Sequence, residues 1–411
     1  MKIKTLAAAM VLATALMPDQ RACGASGQTP AEILRSVNAR LAKEFVSHDG
    51  LLLDYVGDIP TAEEIADLKP NAMGWWCPIE NGSMFTGEWL PALMAEGEGV
   101  KPLVERCVRG LLRMSEVSDV PGFVARGTGT DGKSHFPCGS NDQTDPWFLG
   151  LCEYCRWQHA EPSLRKTAIE RVVAVARALE ANDWQVPCDG VFKGQNRGKL
   201  NGTGMPFWST TRFLYTLRSL EKLTGDVHWR DAYAKAKAAH IADIEAGGEV
   251  DAKVFSKCYG SCVWIYVASA QALARLVEME DNPADVARFR TGLRHFAAKV
   301  APLMGDRRAY DNAVTERPFK YANWRTGYAW RPQKTQKDAQ EVSWSGKREI
   351  LGTRKDYERK GMANPLAAAA ICVLSGEAKH REEVLATLRH YDYSTCNISE
   401  FFHAAIAAAA F

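Results

Sequence analysis

The sequence lacks an excess of charge of either sign. Its 51 lysine and arginine residues nearly balance 49 aspartate and glutamate residues, which gives a net charge of +2. Nucleic acids and anionic membrane surfaces attract proteins with a strong positive field. We therefore expect neither of them as a binding partner.

Long apolar segments are also lacking beyond the N-terminus. Leu366–Leu374 and Ala404–Phe411 are both shorter than the roughly 20 residues needed to cross a bilayer. The first residues, MKIKTLAAAMVLATALM, combine a basic start with an apolar run, which predicts a secretory signal peptide over residues 1–25 and an exported protein, periplasmic or extracellular. Cys23 raises the alternative of a lipid anchor, but the preceding DQRA lacks the apolar residue of a lipobox.

Histidines at finger-like spacing are lacking beside the close cysteine pairs. The chain has 11 cysteines, and Cys152/Cys155 and Cys258/Cys262 have helical spacing that resembles half of a zinc site. Without nearby histidine ligands, we expect no metal and no other cofactor. Buried thiols and one or two disulfide bridges remain as alternatives.

Convincing alternating strands are absent, and helical periodicity fills the chain instead. Long loops rich in Gly, Trp, Asn and Asp begin near residues 74, 122, 188, 256 and 305, and each leads into an apolar helix. A second class of helix follows after short connections. A repeat of helix pairs close to fifty residues long predicts a solenoid or a closed ring. Besides a helix ending near Ala95, the predicted helices are Pro30–Phe45, Val104–Met114, Pro146–Trp157, Ser163–Asn182, Phe207–Leu223, Trp229–Ile244, Val263–Glu280, Ala284–Val300, Ala363–Leu374, Arg381–His390 and Ser399–Phe411.

The stretch Gly74–Leu90, GWWCPIENGSMFTGEWL, concentrates the residue types of a carbohydrate site. Trp75 and Trp76 offer aromatic faces on which sugar C–H groups stack, and Glu80 offers a carboxyl group beside them. Asn81 and Gly82 indicate a turn that leads into a helix. Aromatic residues and carboxylates at the start of a helix are what hydrolysis of a glycosidic bond requires.

The pattern resembles the six-hairpin glycosidase superfamily over the whole mature chain, residues 29–411, taken as a single catalytic domain. The segments that carry the resemblance are Trp76–Glu88, GSNDQTDPW at 139–147, YGS at 259–261 and YANWRTGY at 321–328. Within that group the chain is most similar to β-glucuronidase-type and unsaturated-glucuronyl-hydrolase-type members. The resemblance implies an all-α fold, an (α/α)6 toroid in which six helical hairpins form a closed double ring. It also implies glycoside hydrolysis by acids near the mouths of the early inner helices.

Glu80 and Asp142 occupy such positions at the mouths of the first two loop-fed helices. Apolar neighbours around Glu80 favour its protonated form, whereas the polar company of Asp142 favours a carboxylate, as an acid/base pair needs. Asp145 competes for the second role, or caps a helix whose first residue is Pro146. Glu88 lies at least a turn inside the helix, and we expect a structural role for it.

The fifth long loop is basic and aromatic. Between Glu316 and Lys360 the sequence has twelve Lys and Arg against six Asp and Glu. Because export and overall neutrality speak against nucleic acid, an acidic sugar fits this loop better. We expect Arg325 to bind a uronate carboxylate in bidentate fashion, with Lys320 and Arg331 as substitutes. The remaining predicted substrate-binding residues are Arg126, His135, Asn141, Trp147, Tyr259, Tyr321, Trp324 and Tyr328.

Two other functions fit the same residues. A polysaccharide lyase would take its base from Tyr259 or His135 and neutralise a uronate with Asn141 or Arg126. A non-catalytic glycan-binding protein would use the aromatic residues without an acid pair. The primary expectation is an exported glycoside hydrolase acting on an oligo- or polysaccharide that contains uronic acid.

Overall fold

The computed structural model describes residues 27–69, 71–74, 76–201, 206–247, 263–313, 324–325, 330–343 and 357–411. Within these ranges the protein is mostly helical, as predicted. The α-helices are α1 Pro30–Arg40, α2 Ala62–Ala66, α3 Gly82–Met94, α4 Lys101–Met114, α5 Asn141–Arg156, α6 Pro162–Ala181, α7 Thr211–Thr224, α8 Val227–Glu245, α9 Val267–Met279, α10 Pro283–Val300, α11 Asn364–Leu374, α12 Arg381–His390 and α13 Phe402–Ala409. None of the helices in the described ranges is long and apolar enough to cross a membrane.

Short elements of other types connect the α-helices. Turns of π-helix over Leu41–Phe45, Pro206–Thr210 and Arg359–Ala363 adjoin α1, α7 and α11. Two short strands, β1 Gln185–Pro187 and β2 Asn196–Lys199, pair antiparallel. The sequence did not predict this hairpin, because it is too short to show an alternating apolar pattern; the little strand that it adds is consistent with the predicted all-α class.

One set of helices is almost wholly buried. In α3, Pro91 is the only residue that is not buried. The helices of this set contact one another in the order α3–α5, α5–α7, α7–α9, α9–α11, α11–α13 and α13–α3. The other set packs outside them, through the pairs α4–α3, α6–α5, α8–α7, α10–α9, α12–α11 and α1–α13. Buried apolar residues from Ile33 to Ala408 form one contiguous core between and within these sets.

Two glycines allow α3 and α5 to approach closely. A Cβ atom on Gly87 would lie 2.0 Å from the backbone oxygen of Pro146, and one on Gly150 would lie 2.9 Å from the Cα of Gly87. No side chain fits at such distances, so the helix backbones are in direct contact here. The contact holds the starts of α3 and α5 next to each other. Glu80 precedes α3 by two residues, and Asp142 and Asp145 lie near the start of α5.

Candidate active site

Glu80 lies directly before α3, in a turn with an unusual backbone. Gly74 and Trp76 both have positive φ, at 72° and 74°; this conformation suits glycine and is strained for tryptophan. The turn aims the backbone N–H of Trp76 at Glu80, which accepts a hydrogen bond on Oε2 at 2.9 Å. Trp76 itself is buried, and its indole N–H donates to the backbone oxygen of Ser343 at 3.1 Å. Trp76 therefore supports the carboxyl group of Glu80 and does not offer a free aromatic face.

Polar side chains join the starts of α3 and α5. The backbone N–H of Asn81 donates to Oδ2 of Asp54 at 2.8 Å, and its side-chain amide donates to Oδ1 of Asp54 at 2.7 Å. The side chain of Gln143 donates to Oδ1 of Asn81 at 3.0 Å and accepts from the backbone N–H of Met84 at 3.1 Å. All of these groups are buried, and buried hydrogen bonds fix the geometry of the groups that they join.

Arg126 contacts the backbone of one predicted acid and the side chain of the other. Its Nη1 donates to the backbone oxygen of Glu80 at 3.3 Å, and its Nη2 lies 3.5 Å from Oδ1 of Asp142. The Arg126 side chain is 1% exposed, whereas the Asp142 side chain is 33% exposed. Nε and Nη2 of Arg126 have no hydrogen-bond partner among the described residues. The chain thus places a buried cation with unused donors beside a carboxylate that reaches the surface.

Asp145 lies one turn further along α5 and is fully buried. The predicted helix start at Pro146 is wrong, because α5 begins at Asn141 with Ser140 as its N-cap and contains Pro146 in its interior. Asp145 is consequently no cap. Its Oδ2 lies 3.2 Å from Nη2 of Arg212, the second residue of α7.

The charge state of Asp145 depends on opposing influences. Burial raises its pKa to about 7; the Arg212 guanidinium acts in the opposite direction, and nearby Asp142 adds to the rise. The Arg212 guanidinium is stacked over the Trp208 ring at 4.6 Å, and its Nε donates to the Trp208 backbone oxygen at 2.8 Å. Trp208 fixes the position of the Arg212 guanidinium, and the contact with this guanidinium in turn fixes the position of the Asp145 carboxyl group.

Glu88 projects from the middle of α3 into the core, close to His403 of α13. The distance from Oε2 of Glu88 to Nε2 of His403 is 3.9 Å, and both side chains are fully buried. Burial raises the pKa of Glu88 well above its ordinary range and lowers the pKa of His403 to about 3. At neutral pH this contact therefore joins a protonated carboxyl to a neutral imidazole and is not an ion pair.

We name Glu80, Arg126, Asp142, Asp145 and Arg212 the acid–arginine cluster. Glu80 lies directly before α3, Asp142 and Asp145 lie near the start of α5, and Arg212 lies in the first turn of α7. Arg126 lies in the connection between α4 and α5. Of these residues, Arg212 and its partner Trp208 were missed by the sequence analysis. The signal was present, because Trp208, near the start of the predicted helix Phe207–Leu223, precedes Arg212 by four residues, about one helical turn.

Several other predicted site residues are placed away from the cluster or are already engaged. Trp147 is buried, with its indole N–H on the backbone oxygen of Leu111 at 2.6 Å. Trp324 is likewise buried and donates to the backbone oxygen of Asp58 at 3.2 Å. Neither indole offers a face for sugar stacking, so these two predictions are wrong. The apolar pattern alone did not separate packed from displayed tryptophans.

The predicted polar contacts in the loops are also satisfied within the protein. Nε2 of His135 pairs with Asp189 at 2.8 Å, and its Nδ1 lies 3.0 Å from the backbone oxygen of Lys133. Arg325 binds Glu64 through Nε at 2.6 Å and Nη2 at 3.3 Å, and its Nη1 contacts Asp58 at 3.3 Å. The prediction that Arg325 binds a substrate carboxylate conflicts with this arrangement, because Glu64 and Asp58 of the protein already bind its guanidinium nitrogens.

Two further predicted residues lie within the described ranges, and the others lie outside them. Arg331 is bound to Asp338 and Glu341. Asn141 is the first residue of α5 and lies against Gly198 in the β2 strand. The following predicted residues lie outside the described ranges: Trp75, Tyr259, Lys320, Tyr321 and Tyr328.

A cavity of about 640 Å³ lies at the opposite end of the buried helices. It is lined by the C-terminal turns of α3, α11 and α13 and by α9 and α10. Glu278 is the only carboxyl group in this lining, and Arg275 binds it at 2.9 Å. A single engaged carboxyl does not supply an acid/base pair, so we assign the candidate site to the acid–arginine cluster instead.

The described part of the chain contains no group of three or more His, Cys, Asp or Glu side chains arranged to hold a metal ion. Comparison of the chain with known protein families, curated proteins and solved structures finds no match. What the protein does must therefore be inferred from the chemistry of its buried polar residues.

Proposed function

We propose that the protein is a glycoside hydrolase built on an (α/α)6 toroid. The order of helix contacts supports this architecture, because the buried helices contact one another in chain order and the last of them contacts the first. In such a ring the N-terminal ends of the buried helices share one rim. The acid–arginine cluster would then lie at that rim, where several chain segments converge on a substrate.

The observation that carries the proposal is the position of Arg126 between Glu80 and Asp142. The buried guanidinium contacts the backbone oxygen of Glu80 and the carboxyl group of Asp142, which supports the assignment of both acids to one site. Glycoside hydrolysis needs two carboxyl groups on either side of the scissile bond, one to donate a proton and one to act as base or nucleophile. These two acids are the ones that the sequence singled out.

The two acids differ in a way that suits different roles. Glu80 is 9% exposed and accepts an N–H bond from the turn that precedes it. We assign it the proton donor's role, since a shielded and oriented carboxyl delivers a proton in a defined direction. Asp142 reaches the surface and is assigned the base or nucleophile. Asp145 contacts Arg212 and acts as a positioning residue for the first turn of α5.

The substrate class follows from the cations of the site. Nε and Nη2 of the buried Arg126 and Nη1 and Nη2 of Arg212 make no hydrogen bond among the described residues, although the two Nη2 atoms lie near Asp142 and Asp145. Buried guanidinium donors favour a carboxylate ligand, which they bind in bidentate fashion. We therefore propose a uronic acid at the cleavage site, bound by Arg126 instead of Arg325.

The test is an assay for new reducing ends released from oligosaccharides that contain uronic acid. We expect turnover by the wild type and a loss of at least about 10²-fold in Glu80→Gln and Asp142→Asn, as expected when general acid–base help is removed. Glu170→Gln, a change on the exposed face of α6, is the control and should keep full activity. Near-normal turnover by either site variant would refute that residue's role.

The same assay separates the alternatives. An ultraviolet-absorbing unsaturated product would indicate elimination, and hence a lyase. Binding of oligosaccharide with no product at all would indicate a glycan-binding protein. Either result would overturn the hydrolase proposal.

A further inference from the structure

Cys138 and Cys188 lie opposite each other on two neighbouring segments of chain. The backbone N–H of Asp189 donates to the backbone oxygen of Pro137 at 2.7 Å. Two residues further along, a Cβ atom on Gly139 would lie 2.2 Å from the backbone oxygen of Pro187. Residues 137 and 189 are thus in contact, as are residues 139 and 187. The two segments run in opposite directions, with Cys138 and Cys188 at corresponding positions between these contacts.

The two cysteines lie between these contacts, and their own backbone N–H groups donate elsewhere. Cys138 donates to the backbone oxygen of Ala72 at 3.4 Å, and Cys188 donates to that of Gln195 at 2.9 Å. Residues that face each other on adjacent antiparallel segments have Cα atoms about 4.5–5.5 Å apart. A disulfide needs a Cα separation of roughly 4.4–6.8 Å, a range that includes such a facing pair.

The positions of the two thiols are consistent with this backbone arrangement. Both thiols are fully buried and share a small apolar cluster with Ala72, Phe192 and Ala339. The two thiols are close enough to shift each other's pKa, and the side-chain amide of Gln336 donates to Sγ of Cys188 at 3.4 Å. The Cys138 thiol, together with Gly139 and the Arg197 and Arg126 guanidinium groups, lowers the pKa of Cys188 against the effect of burial. Of the two sulfurs, Cys188 is therefore the better nucleophile.

We propose that Cys138 and Cys188 form a disulfide bond that fastens the β1–β2 hairpin to the segment entering α5. The oxidant is a small-molecule disulfide such as oxidised glutathione. The Cys188 thiolate attacks one sulfur of glutathione disulfide, forms a mixed disulfide and releases one glutathione thiolate. Cys138 then loses its proton to solvent and attacks Sγ of Cys188, which displaces the second glutathione thiolate. Two protein thiols are oxidised by two electrons, and one glutathione disulfide is reduced to two glutathione molecules.

The bond would act on the candidate site through its position. Cys138 lies four residues before Asp142, and Cys188 lies in the hairpin that carries Arg197. The charges of Arg197 and Asp142 interact. A covalent link between the two segments would hold these charged groups in a fixed relation. The disulfide itself depends on the local geometry alone and would form whether or not the protein hydrolyses sugars.

The test is the thiol content of the purified full-length protein after equilibration with mixtures of reduced and oxidised glutathione. The protein is quenched with acid, unfolded and alkylated, and its tryptic peptides are analysed by mass spectrometry. We expect the peptide containing Cys188 to be joined to the peptide containing Cys138 under oxidising conditions and to be free under reducing ones. The oxidised protein should unfold at a temperature higher by roughly 2–6 °C.

Variants identify the partner, because the tryptic peptide with Cys138 also contains Cys152 and Cys155. Cys138→Ser should abolish the link, whereas the matched change Cys152→Ser, at another buried thiol on α5, should leave it intact. Two alkylated thiols at 138 and 188 in the oxidised wild type would overturn the proposal. Separate glutathione adducts on each cysteine, or a link from Cys188 to a different cysteine, would overturn it equally.

Discussion

Nη2 of Arg126 lies 3.5 Å from Oδ1 of Asp142, while Nη1 of the same group holds the backbone oxygen of Glu80. Two nitrogens of this buried guanidinium, Nε and Nη2, make no hydrogen bond within the described part of the protein. Buried polar groups in native proteins nearly always have partners, and unused donors therefore indicate bound water or a ligand. The relation between Arg126 and Asp142 places such donors beside a proposed catalytic acid.

The first prediction concerns substrate charge. Arg126→Gln should lower kcat/KM for a uronide by roughly ten- to a hundredfold, the value of a charge-assisted hydrogen bond of about 1.5–3 kcal/mol. It should leave kcat/KM for the matching neutral glycoside much less affected. The measurement is kcat/KM on paired substrates that differ only in the carboxylate.

Arg325→Gln is the matched control for this experiment. Its guanidinium is bound to Glu64 and Asp58. The loss of this group should therefore change kcat/KM for both substrates equally and by less than about threefold, the effect of one partly exposed ion pair. If Arg325→Gln alone erased the preference for uronides, Arg325 and not Arg126 would be the carboxylate partner.

These two arginines show how far the sequence could predict the site. Glu80 and Asp142 could be proposed as the acid pair from the sequence, because a long loop followed by a helix is a local pattern, visible in a few consecutive residues. The choice between Arg126 and Arg325 could not be made from neighbouring residues in the sequence. The acids that engage Arg325 are 261 and 267 residues away in sequence, and only the folded chain brings them into contact.

The second prediction concerns stability and pH. Because burial raises the pKa of Asp145 from an ordinary 3.8 to about 7, the folded protein holds this proton more tightly than the unfolded chain does. The contribution of Asp145 to stability is therefore fully present below about pH 4 and is lost as pH rises to about 7. The loss is on the order of 3–4 kcal/mol in the free energy of unfolding.

Asp145→Asn removes this titration and isolates its effect from those of Glu88 and His403. Urea unfolding of the wild type and the variant should be measured at several values between pH 4.5 and 7.5. We expect the wild type to lose stability relative to the variant as pH rises through this range. A difference that stays constant, or that grows in favour of the wild type, would show that Asp145 is ionised throughout and stabilised by Arg212.

The third prediction concerns Glu88. Burial holds its carboxyl protonated, and neither of its oxygens has a hydrogen-bond partner among the described residues. A glutamine has nearly the same shape and no charge, so Glu88→Gln should change the free energy of unfolding at pH 7 by less than about 1 kcal/mol. Glu88→Lys would bury a cation near Arg212 and should cost several kcal/mol.

Chemical unfolding at pH 7 distinguishes the two possible states of Glu88. A loss of about 3–5 kcal/mol in Glu88→Gln is the result expected for breaking a buried ion pair. That result would mean that Glu88 is a charged partner of Arg212 and not a neutral core residue.

The fold was more predictable than the site, for a physical reason. Helices such as α6 and α10 present apolar residues at a period of 3.6, and their predicted ends lie within one or two residues of the observed ones. The start of α5 was missed by five residues, because Pro146 favours a helix beginning by local rules. In the folded protein this proline lies inside the helix, where its backbone oxygen meets the α3 backbone at Gly87.

The last prediction tests that contact between α3 and α5. A methyl group at residue 87 would lie 2.0 Å from the Pro146 oxygen, which is far inside contact distance, and Pro146 belongs to the same rigid helix as Asp142. Gly87→Ala must therefore separate the two helices or distort them. We expect a loss of about 1–3 kcal/mol or more in the free energy of unfolding, the range for overpacked cores. This loss comes despite the gain of roughly 0.5–1 kcal/mol that alanine brings to a helix.

Gly99→Ala is the control, because nothing lies within 4 Å of the added methyl group, and the stability of this variant should be unchanged within about 0.5 kcal/mol. Since Glu80 precedes α3 and Asp142 lies on α5, activity on a uronide should fall more steeply in Gly87→Ala than the fraction of folded protein does. Equal stability of Gly87→Ala and Gly99→Ala would mean that α3 and α5 are not in backbone contact, and the shared site of Glu80 and Asp142 would lose its structural basis.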